Sequence, residues 1–359
     1  MMNRKVRVAQ YGCGKMAEPT MNFVYDHGGE VVCAFGRSDR TAGKDIGEIM
    51  GTENKGVLID YSRDAREVLS RTKPDVCIVE TMSLLPDCQD IFLLCAELGI
   101  NAISTCEEAF YPWNSRYKMT KEIDELAKKN NCTICGSGAQ DMGWGYILST
   151  VAGASNKITK IKGSVVYNSE DYGIALAKVH GVNMSMDEFE KEIASVNDIS
   201  EEKRHEVQET EDFLPSYMWN ANGWICSLFG LTVKTQEQKF IPQICDQPLW
   251  SDVLQTEIPA GHATGLSATV ITTTEEGITL ETECVGKVYA PGEEDSITWT
   301  IYGEPDLDFV LKKPDTVAIT CASVVNRIPD LINATPGYVT TDKMGPLTHM
   351  FKPMNEYVK

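Results

Sequence analysis

Two adjacent carboxylates, Glu107 and Glu108, are the residues of this sequence best suited to chemistry. They follow the apolar stretch 101–105 and precede Ala-Phe-Tyr111-Pro-Trp113. An unpaired carboxylate is costly to bury in such surroundings. We therefore expect one of the two to face a cleft and the other to make a structural hydrogen bond or ion pair. A carboxylate in a cleft can act as a general base or stabilise a cationic intermediate, an effect worth roughly 10²–10⁴-fold in rate. The alternative is that the pair caps the following helix.

A second motif lies near the N-terminus, where the apolar run 6–11 leads into Gly12-Cys-Gly14-Lys-Met-Ala17. The Gly-x-Gly-x-x-Ala spacing is typical of a dinucleotide-binding turn. Gly12 permits the turn, Gly14 lets the backbone approach a pyrophosphate, and Ala17 lets the helix pack closely on its strand. The phosphates would lie at the helix N-terminus, where amide groups and the helix dipole favour an anion. The cofactor-binding residues predicted here are Gly12, Gly14, Lys15, Met16 and Ala17.

The end of the second predicted strand indicates which nucleotide binds. Folds that bind NAD place an Asp or Glu about 20 residues after the glycines to hold the ribose hydroxyls, but here that position is Gly36. Guanidinium groups give forked, charge-assisted hydrogen bonds to phosphate. The alternative is a solvated loop in which Asp39 serves NAD. We expect NADP(H) to be favoured, with use of NAD(H) left open. The residues predicted to surround a 2′-phosphate are Arg37, Ser38 and Arg40, and further cofactor contacts are predicted at Thr81, Ser83 and Thr105.

The first 137 residues, which must position these groups, alternate between strand and helix patterns. The strands are nearly all apolar, as expected when both faces of a parallel sheet are covered, and Pro74 and Gly99 mark element ends. This alternation predicts an α/β fold with a doubly wound parallel sheet of the Rossmann type. The predicted strands are 6–11, 30–35, 56–60, 75–80, 101–105 and 132–135, and the clear helices are 85–98 and 117–129.

The pattern changes after Gly136-Ser-Gly138. Consecutive strands with short turns, including a hairpin turn at 275–277, imply a mostly antiparallel sheet, so this part is predicted to be α+β. A last amphipathic helix at 317–334 stops at Pro336-Gly337. The other predicted elements are helix 143–154, strand 158–167, an acidic helical region at 186–208, and strands 232–241, 253–258, 267–273, 278–289 and 297–302.

These patterns divide the chain into three parts. Residues 1–137 are predicted to form an NAD(P)-binding Rossmann domain. Residues 138–313 are predicted to form an α+β domain. The C-terminal helix and tail, 314–359, are expected to pack back on the Rossmann domain. A chain of 359 residues is long enough for two separate cores.

The charge of the chain excludes some classes of partner. With 33 basic and 52 acidic residues the formal net charge is −19, which disfavours binding to nucleic acid or to an anionic membrane surface. Twelve scattered cysteines are typical of free thiols in a reducing compartment. The Cys132-Thr-Ile-Cys135 match lies in a predicted strand without a second ligand pair, so no metal site is expected. There is neither a signal-peptide pattern nor a stretch near the ~20 apolar residues that span a bilayer. We therefore expect a cytoplasmic protein.

Distinctive short blocks follow one another along most of the chain. They are Gly43-Lys-Asp-Ile-Gly-Glu-Ile49, Lys73-Pro-Asp, Ser104-Thr-Cys-Glu-Glu with Tyr111-Pro, Gly136-Ser-Gly138, Asp171-Tyr-Gly, His180-Gly-Val, Met186-Asp-Glu-Phe, Pro259-Ala-Gly, Glu304-Pro-Asp, Asn326-Arg-Ile-Pro and Thr335-Pro-Gly. In these blocks and in their order the sequence resembles the 2,4-diaminopentanoate dehydrogenases of anaerobic ornithine breakdown. The native NAD(P)-dependent amine dehydrogenases are relatives of that family.

The resemblance implies NAD(P)-dependent oxidative deamination of a primary amine to a ketone, reversible as reductive amination with ammonia. It also implies a two-domain fold like that of dihydrodipicolinate reductase, commonly in a homodimer, with residues 138–313 as the domain for substrate binding and dimerisation. The family's essential glutamate maps onto the Glu107-Glu108 pair, and Glu108 is the preferred candidate. Its role would be to take a proton from water or ammonia during attack on the iminium or ketone carbon.

The chain departs from the family pattern in two loops that should face the substrate. Relatives continue the junction Gly-x-Gly with Asn-Pro-Gly-Phe, whereas this chain has the altered stretch 139–144, one residue longer. The Asp171-Tyr-Gly loop differs from the Pro-Phe-Gly of the diamine enzymes. Glu170 and Asp171 could pair with a second ammonium group or simply be solvated. The candidate substrate-binding residues are Trp113, Trp144 and Tyr172 as an aromatic wall and His180 and His262 as polar contacts; for each of them a purely structural role is the alternative.

Two other functions stay open at this point. One is a nucleotide-sensing regulator that kept the fold and lost turnover, for which the altered junction is the main support. The other is a dehydrogenase of the same fold acting on a different carbonyl or amino acid substrate. Sugar-type dehydrogenases of this fold have Glu-Lys-Pro where this chain has Glu107-Glu108-Ala109. The missing lysine favours amine chemistry.

Overall fold

The computed structural model describes residues 2–359, apart from the side chains of Tyr172 and Ala175. The chain divides into two compact units. Unit 1 comprises the residues up to Tyr146 together with Asp315–Lys359, and unit 2 is Ile147–Pro314. No helix in the described part of the chain is both long and apolar enough to span a membrane.

Unit 1 is built on a parallel sheet whose strand order runs β6-β5-β4-β1-β2-β3. Because the order reverses between β4 and β1, a crevice opens beyond the carboxyl end of β1, where doubly wound sheets bind ligands. The strands are β1 Arg7–Tyr11, β2 Glu30–Gly36, β3 Ile59–Tyr61, β4 Val76–Val79, β5 Asn101–Ser104 and β6 Thr133–Gly136. The helices are α1 Ala17–Asp26, α2 Ile46–Met50, α3 Ala65–Thr72, α4 Leu85–Leu98 and α5 Tyr117–Lys129.

The strong patterns of unit 1 predict its elements well. Helices α4 and α5 have the predicted bounds, because each places its apolar residues on one face at helical spacing. Gly99 ends α4 with a positive φ of 67°. All four residues of β4 are buried, as expected for a strand covered on both faces. The predicted α/β fold with a doubly wound sheet is confirmed.

Unit 2 contains a six-stranded sheet in the order β14-β13-β7-β12-β11-β8, antiparallel except for the β7–β12 pair. A separate antiparallel pair is formed by β9 and β10. The strands are β7 Lys157–Asn168, β8 Val233–Ile244, β9 Leu249–Ser251, β10 Thr256–Ile258, β11 Ala263–Thr274, β12 Thr279–Lys287, β13 Ser296–Glu304 and β14 Leu307–Lys312. The mostly antiparallel sheet predicted for this part is confirmed.

The helices of unit 2 are less regular. They are α6 Ile147–Ala152, α7 Ile174–Val179, α8 Met186–Phe189, α9 Ser195–Asn197, α10 Glu201–Thr210 and α11 Tyr217–Phe229. The acidic helical region is interrupted by a π-helix at Glu190–Ala194 and by a break before Glu201. The prediction of a strand over 253–258 is wrong for its first half. Val253 and Leu254 lie in a turn whose amides donate to Glu170 Oε1 and Ser251 Oγ.

The C-terminal segment completes unit 1. Helix α12, Thr316–Asn333, packs against α1, β5 and β6, and β15, Gly337–Tyr338, extends the parallel sheet beside β6 to seven strands. The buried side chains of α12 belong to the same apolar core as β1, β2 and β4.

Candidate functional site

The glycine turn joins the end of β1 to the start of α1 at the crevice of the sheet. Gly12 has φ +106°, and a Cβ there would lie 2.2 Å from the carbonyl oxygen of Glu80. At Gly14 a Cβ would meet no described atom within 4 Å, so the space in front of the backbone is open. Helix α1 begins with no side-chain cap at Met16. Open space before uncapped helix amides fits a pyrophosphate. Lys15 is exposed, Met16 half-buried and Ala17 fully buried.

A buried carboxyl lies directly beneath this turn and was not singled out by the sequence. Glu80, at the end of β4, is 9% exposed and accepts hydrogen bonds from Thr20 Oγ1 and Gln10 Nε2, each at 2.7 Å. Gln10 Nε2 also donates to the carbonyl of Gly12 at 3.0 Å. Burial raises the pKa of Glu80 to about 7. In the sequence, Glu80 is visible only as a single acid at the end of an apolar strand.

The ends of β2 and β3 lie side by side, with Gly36 paired to Tyr61. A Cβ at Gly36 would lie 2.3 Å from Thr41 Oγ1, so the acid found here in NAD-binding folds would displace the Thr41 side chain. The predicted phosphate ligands Arg37, Ser38 and Arg40 are all exposed. In the part of the chain that is described, the side chains of Arg37 and Arg40 make no hydrogen bond or ion pair, so both guanidinium groups can turn to a ligand.

The ends of β4 and β5 are also neighbours, since Val79 pairs with Ser104. Thr81 is half-buried, with its Oγ1 3.6 Å from Cys88 Sγ. Ser83 is exposed, and its carbonyl accepts from the amide of Glu108. Thr105 is half-buried, and its amide donates to the carbonyl of Val79. These three predicted cofactor contacts therefore lie on two adjacent strand ends.

The two carboxylates after β5 have different surroundings. Glu108 is 4% exposed. Its Oε1 accepts from Ser115 Oγ at 2.8 Å and lies 3.0 Å from Arg116 Nε, and its Oε2 accepts from the amide of Leu85, the first residue of α4, at 2.8 Å. Glu108 thus makes an ion pair with Arg116, as expected for the structural member of the pair. It also caps the first turn of α4.

Glu107 is exposed to solvent. Among the described residues its carboxylate has no hydrogen-bond or ion-pair partner. The protein around it raises the pKa of this carboxyl by desolvation. Part of the Glu107 residue is thus accessible to solvent, while neighbouring protein atoms desolvate its carboxyl.

The three residues of the predicted aromatic wall do not share one environment. Trp113 is half-buried and packs on Tyr117 and Tyr338, with ring centroids 5.8 and 6.1 Å away. Trp144 is 3% exposed, within a π-helix at Asp141–Tyr146. The side chain of Tyr172 lies outside the described residues. The aromatic residues observed here are thus largely part of the interior of unit 1.

The two predicted polar contacts lie in unit 2. His180 Nδ1 donates to the carbonyl of Leu176 at 2.9 Å, which leaves Nε2 as the acceptor for the hydroxyl of Tyr167 at 2.7 Å. Burial lowers the pKa of His180. His262 is half-buried and its Nδ1 donates to the carbonyl of Asn183 at 3.0 Å. Glu170 accepts from Ser251 and Val253, and Asp171 is exposed.

Residues 141–144 of the altered stretch belong to the π-helix Asp141–Tyr146, which ends the first segment of unit 1. Asp141 accepts from Arg327 Nε at 2.6 Å and from Arg327 Nη2 at 3.0 Å, and both side chains are fully buried. Arg327 also donates to Asp330 and to the carbonyl of Gly345. A π-helical turn takes one residue more than an α-helical turn, which accommodates the additional residue expected from the resemblance. Arg327 was not singled out because its partner lies 186 positions away.

Cysteines and metal ligands add no site to the described part of the chain. Cys132 and Cys135 are buried free thiols, and burial raises the pKa of Cys132 to about 12. Within residues 2–359 no group of three or more His, Cys, Asp or Glu side chains could hold a metal ion.

Comparison with known proteins identifies similar chains. No family model matches. The solved structure of an amine dehydrogenase from Mycobacterium smegmatis is 32% identical, with a TM-score of 0.84 over 98% of this chain and 99% of that chain. A biliverdin reductase from Synechocystis, solved with biliverdin and NADP+, has a TM-score of 0.57 at 14% identity over 94% of this chain and 95% of that chain. It shares the fold.

A curated relative extends the comparison at lower coverage. The 2,4-diaminopentanoate dehydrogenase of Acetoanaerobium sticklandii is 25% identical over 197 residues, 52% of this chain and 53% of the relative. This match spans about half the length of the curated relative. The mycobacterial amine dehydrogenase, in contrast, matches this chain over essentially the whole length of both proteins. The resemblance noted from the sequence is thereby confirmed. The chain belongs to the amine dehydrogenase family.

Proposed function

We propose that this protein is an NAD(P)-dependent oxidoreductase that deaminates a primary amine to a ketone and, in reverse, aminates the ketone with ammonia. The observation that carries the proposal is Glu107, a solvent-accessible residue that follows β5 at the carboxyl edge of the parallel sheet, in a chain 32% identical to an amine dehydrogenase. An anionic neighbour suits this chemistry because the iminium formed from ammonia is cationic.

Glu107, rather than Glu108, is proposed as the acid–base group. A nicotinamide cofactor, when bound, exchanges hydride with the carbon that carries the amine. Glu107 would remove a proton from water or ammonia during attack on the iminium or ketone carbon, and return it in the opposite direction. Glu108 is already engaged by Ser115, Arg116 and the amide of Leu85, so a proton on it would break an existing set of contacts. We propose that it positions the strand end that carries Glu107.

NADP(H) is the proposed cofactor, with weaker use of NAD(H). Support comes from Gly36, where NAD-binding folds have an acid and this chain has no side chain, and from the exposed residues Arg37 and Arg40, whose guanidinium groups suit a 2′-phosphate. The proposed contacts to the nicotinamide half of the cofactor remain Thr81, Ser83 and Thr105.

The proposed substrate is an amine like 2,4-diaminopentanoate, and the proposed assembly is a homodimer. Support for the substrate is the match to the curated relative. His262 is kept as a proposed substrate contact because its Nε2 is not the nitrogen bonded to a backbone carbonyl. His180 is kept as a proposed contact that a substrate would reach by displacing the Tyr167 hydroxyl from Nε2. Trp113, Trp144 and Tyr172 are retained as weaker candidates.

The test compares two glutamine variants in ammonia-dependent NADPH oxidation over a panel of ketones. Glu107→Gln should lower turnover by about 10²–10⁴-fold, as loss of general acid–base catalysis does, with the NADP+ dissociation constant unchanged and no decrease in the unfolding free energy. Glu108→Gln should instead lower the unfolding free energy, because Arg116 would remain buried without its charged partner.

Asp87→Asn serves as the matched control, since Asp87 is an exposed carboxylate in the first turn of α4. It should leave turnover and stability unchanged. Full activity of Glu107→Gln would refute its role. Nucleotide binding by the unsubstituted chain without turnover of any ketone or amine would favour the nucleotide-sensing alternative.

A further inference from the structure

The carboxyl ends of β2 and β3 carry a contact that the proposed function leaves unused. Asp39 is the single acid in the stretch 36–44, and its Oδ1 accepts a hydrogen bond from the hydroxyl of Tyr61. Tyr61 ends β3 opposite Gly36, and Ser62 Oγ donates to the carbonyl of Gly36 at 3.1 Å. The tyrosine is therefore fixed at the place where NAD-binding folds present their acid.

Arg63 covers the other side of this tyrosine. Its guanidinium carbon lies 4.1 Å from the centroid of the Tyr61 ring, a cation–π arrangement that holds the ring in orientation. Its Nε lies 4.0 Å from Asp64, and its side chain is 73% exposed. Most of its donors can thus reach a ligand. Asp60, the residue before Tyr61 on β3, points to the opposite face of the sheet.

Asp39 matters because it could act in two opposing ways. A carboxylate free to turn to the ribose would accept from the hydroxyls of NAD, and it would repel the 2′-phosphate of NADP. Held by the Tyr61 hydroxyl, it is directed to the end of β3, while the guanidinium groups of Arg37, Arg40 and Arg63 remain available to an anion.

We propose that Tyr61 is a specificity-determining residue that favours NADP(H) by engaging the Asp39 carboxylate, and that Arg63 supports it by fixing the ring and adding a third cation. The inference rests on the proposed function, since it concerns the same cofactor site. It assigns the preference to a tyrosine–carboxylate contact in addition to the arginines after β2.

The experiment measures the dissociation constants of NADP+ and NAD+ by calorimetry for the unsubstituted chain and for four variants. Tyr61→Phe removes only the hydroxyl and should lower the ratio of NAD+ to NADP+ dissociation constants by roughly three- to tenfold, the range expected for one hydrogen bond. Asp39→Asn removes the charge and should raise that ratio. In Tyr61→Phe/Asp39→Asn the effect of the phenylalanine should vanish, because no carboxylate is left to release.

Tyr117→Phe, at an exposed tyrosine of α5, is the matched control and should leave the ratio unchanged. An unchanged ratio in Tyr61→Phe would overturn the inference, as would the same decrease in the Asp39→Asn background. If the unsubstituted chain bound neither nucleotide, the proposed function itself would fail. If both nucleotides bound but Tyr61→Phe left the ratio of dissociation constants unchanged, the inference about Tyr61 would be wrong and the proposed function would stand.

Discussion

At the scale of single residues, Glu80 shows how a buried carboxyl can be tolerated under the glycine turn after β1. Thr20 and Gln10 each donate one hydrogen bond to it, yet burial still raises its pKa to about 7 from an ordinary value near 4.5. A shift of this size corresponds to about 3 kcal/mol between its protonation states. A group that binds its proton more tightly in the folded state stabilises the fold below pH 4.5, and this contribution is lost as the pH rises to 7.

We predict that Glu80→Gln flattens this dependence on pH. The variant should unfold at pH 8 with a free energy about 1–3 kcal/mol higher than the unsubstituted chain, because no buried charge then forms. Gln10 can rotate its amide, whose Oε1 has no described partner, to accept from the new side chain. Urea unfolding between pH 4.5 and pH 8 measures the effect, with the exposed Glu18→Gln as control. A pH slope equal to that of the unsubstituted chain would contradict the assignment.

At the scale of elements, the π-helix at Asp141–Tyr146 depends on a charge pair with α12. Asp141 and Arg327 are both fully buried, and burying one charge without the other is strongly unfavourable. We predict that Asp141→Asn lowers the unfolding free energy by about 3 kcal/mol or more. Asp330 is the second, partly exposed partner of Arg327, so Asp330→Asn should lower the unfolding free energy by no more than about 1 kcal/mol. Denaturant unfolding compares them, and equal losses in the two variants would count against the pair.

The same elements show how far the sequence could predict this molecule. Helices α4 and α5 were predictable because a regular apolar face alternates with a charged one. Helix α11 was missed because it is buried on nearly every side, including Trp219 and Trp224, and so has no amphipathic period. The glycine turn and the acid pair were found from local spacing. The Tyr61–Asp39 contact and the Asp141–Arg327 pair were not, because their partners are brought together only by the folded sheet.

At the scale of the whole molecule, unit 1 depends on both ends of the chain. Ile328 and Leu331 of α12 lie fully buried in one core with Val8 of β1 and Val76 of β4. The cofactor turn after β1 therefore rests on a core that includes residues more than 300 positions away. Any ligand that binds the folded turn must stabilise this core by mass action, by about 2.7 kcal/mol at 100 times its dissociation constant.

This linkage leads to a prediction about two matched core variants. Ile328→Ala in unit 1 and Leu280→Ala in unit 2 each truncate a fully buried side chain and should each cost about 2–5 kcal/mol. In hydrogen exchange, Ile328→Ala should accelerate amides of β1 and β4, and saturating NADP+ should slow them again, because the nucleotide binds unit 1. Leu280→Ala should accelerate hydrogen exchange of the amides of β11 and β12, and NADP+ should not slow the exchange of these amides. Equal protection of the two sets by NADP+ would contradict a stabilisation confined to unit 1, and no protection of β1 and β4 would show that the turn after β1 is not the binding site.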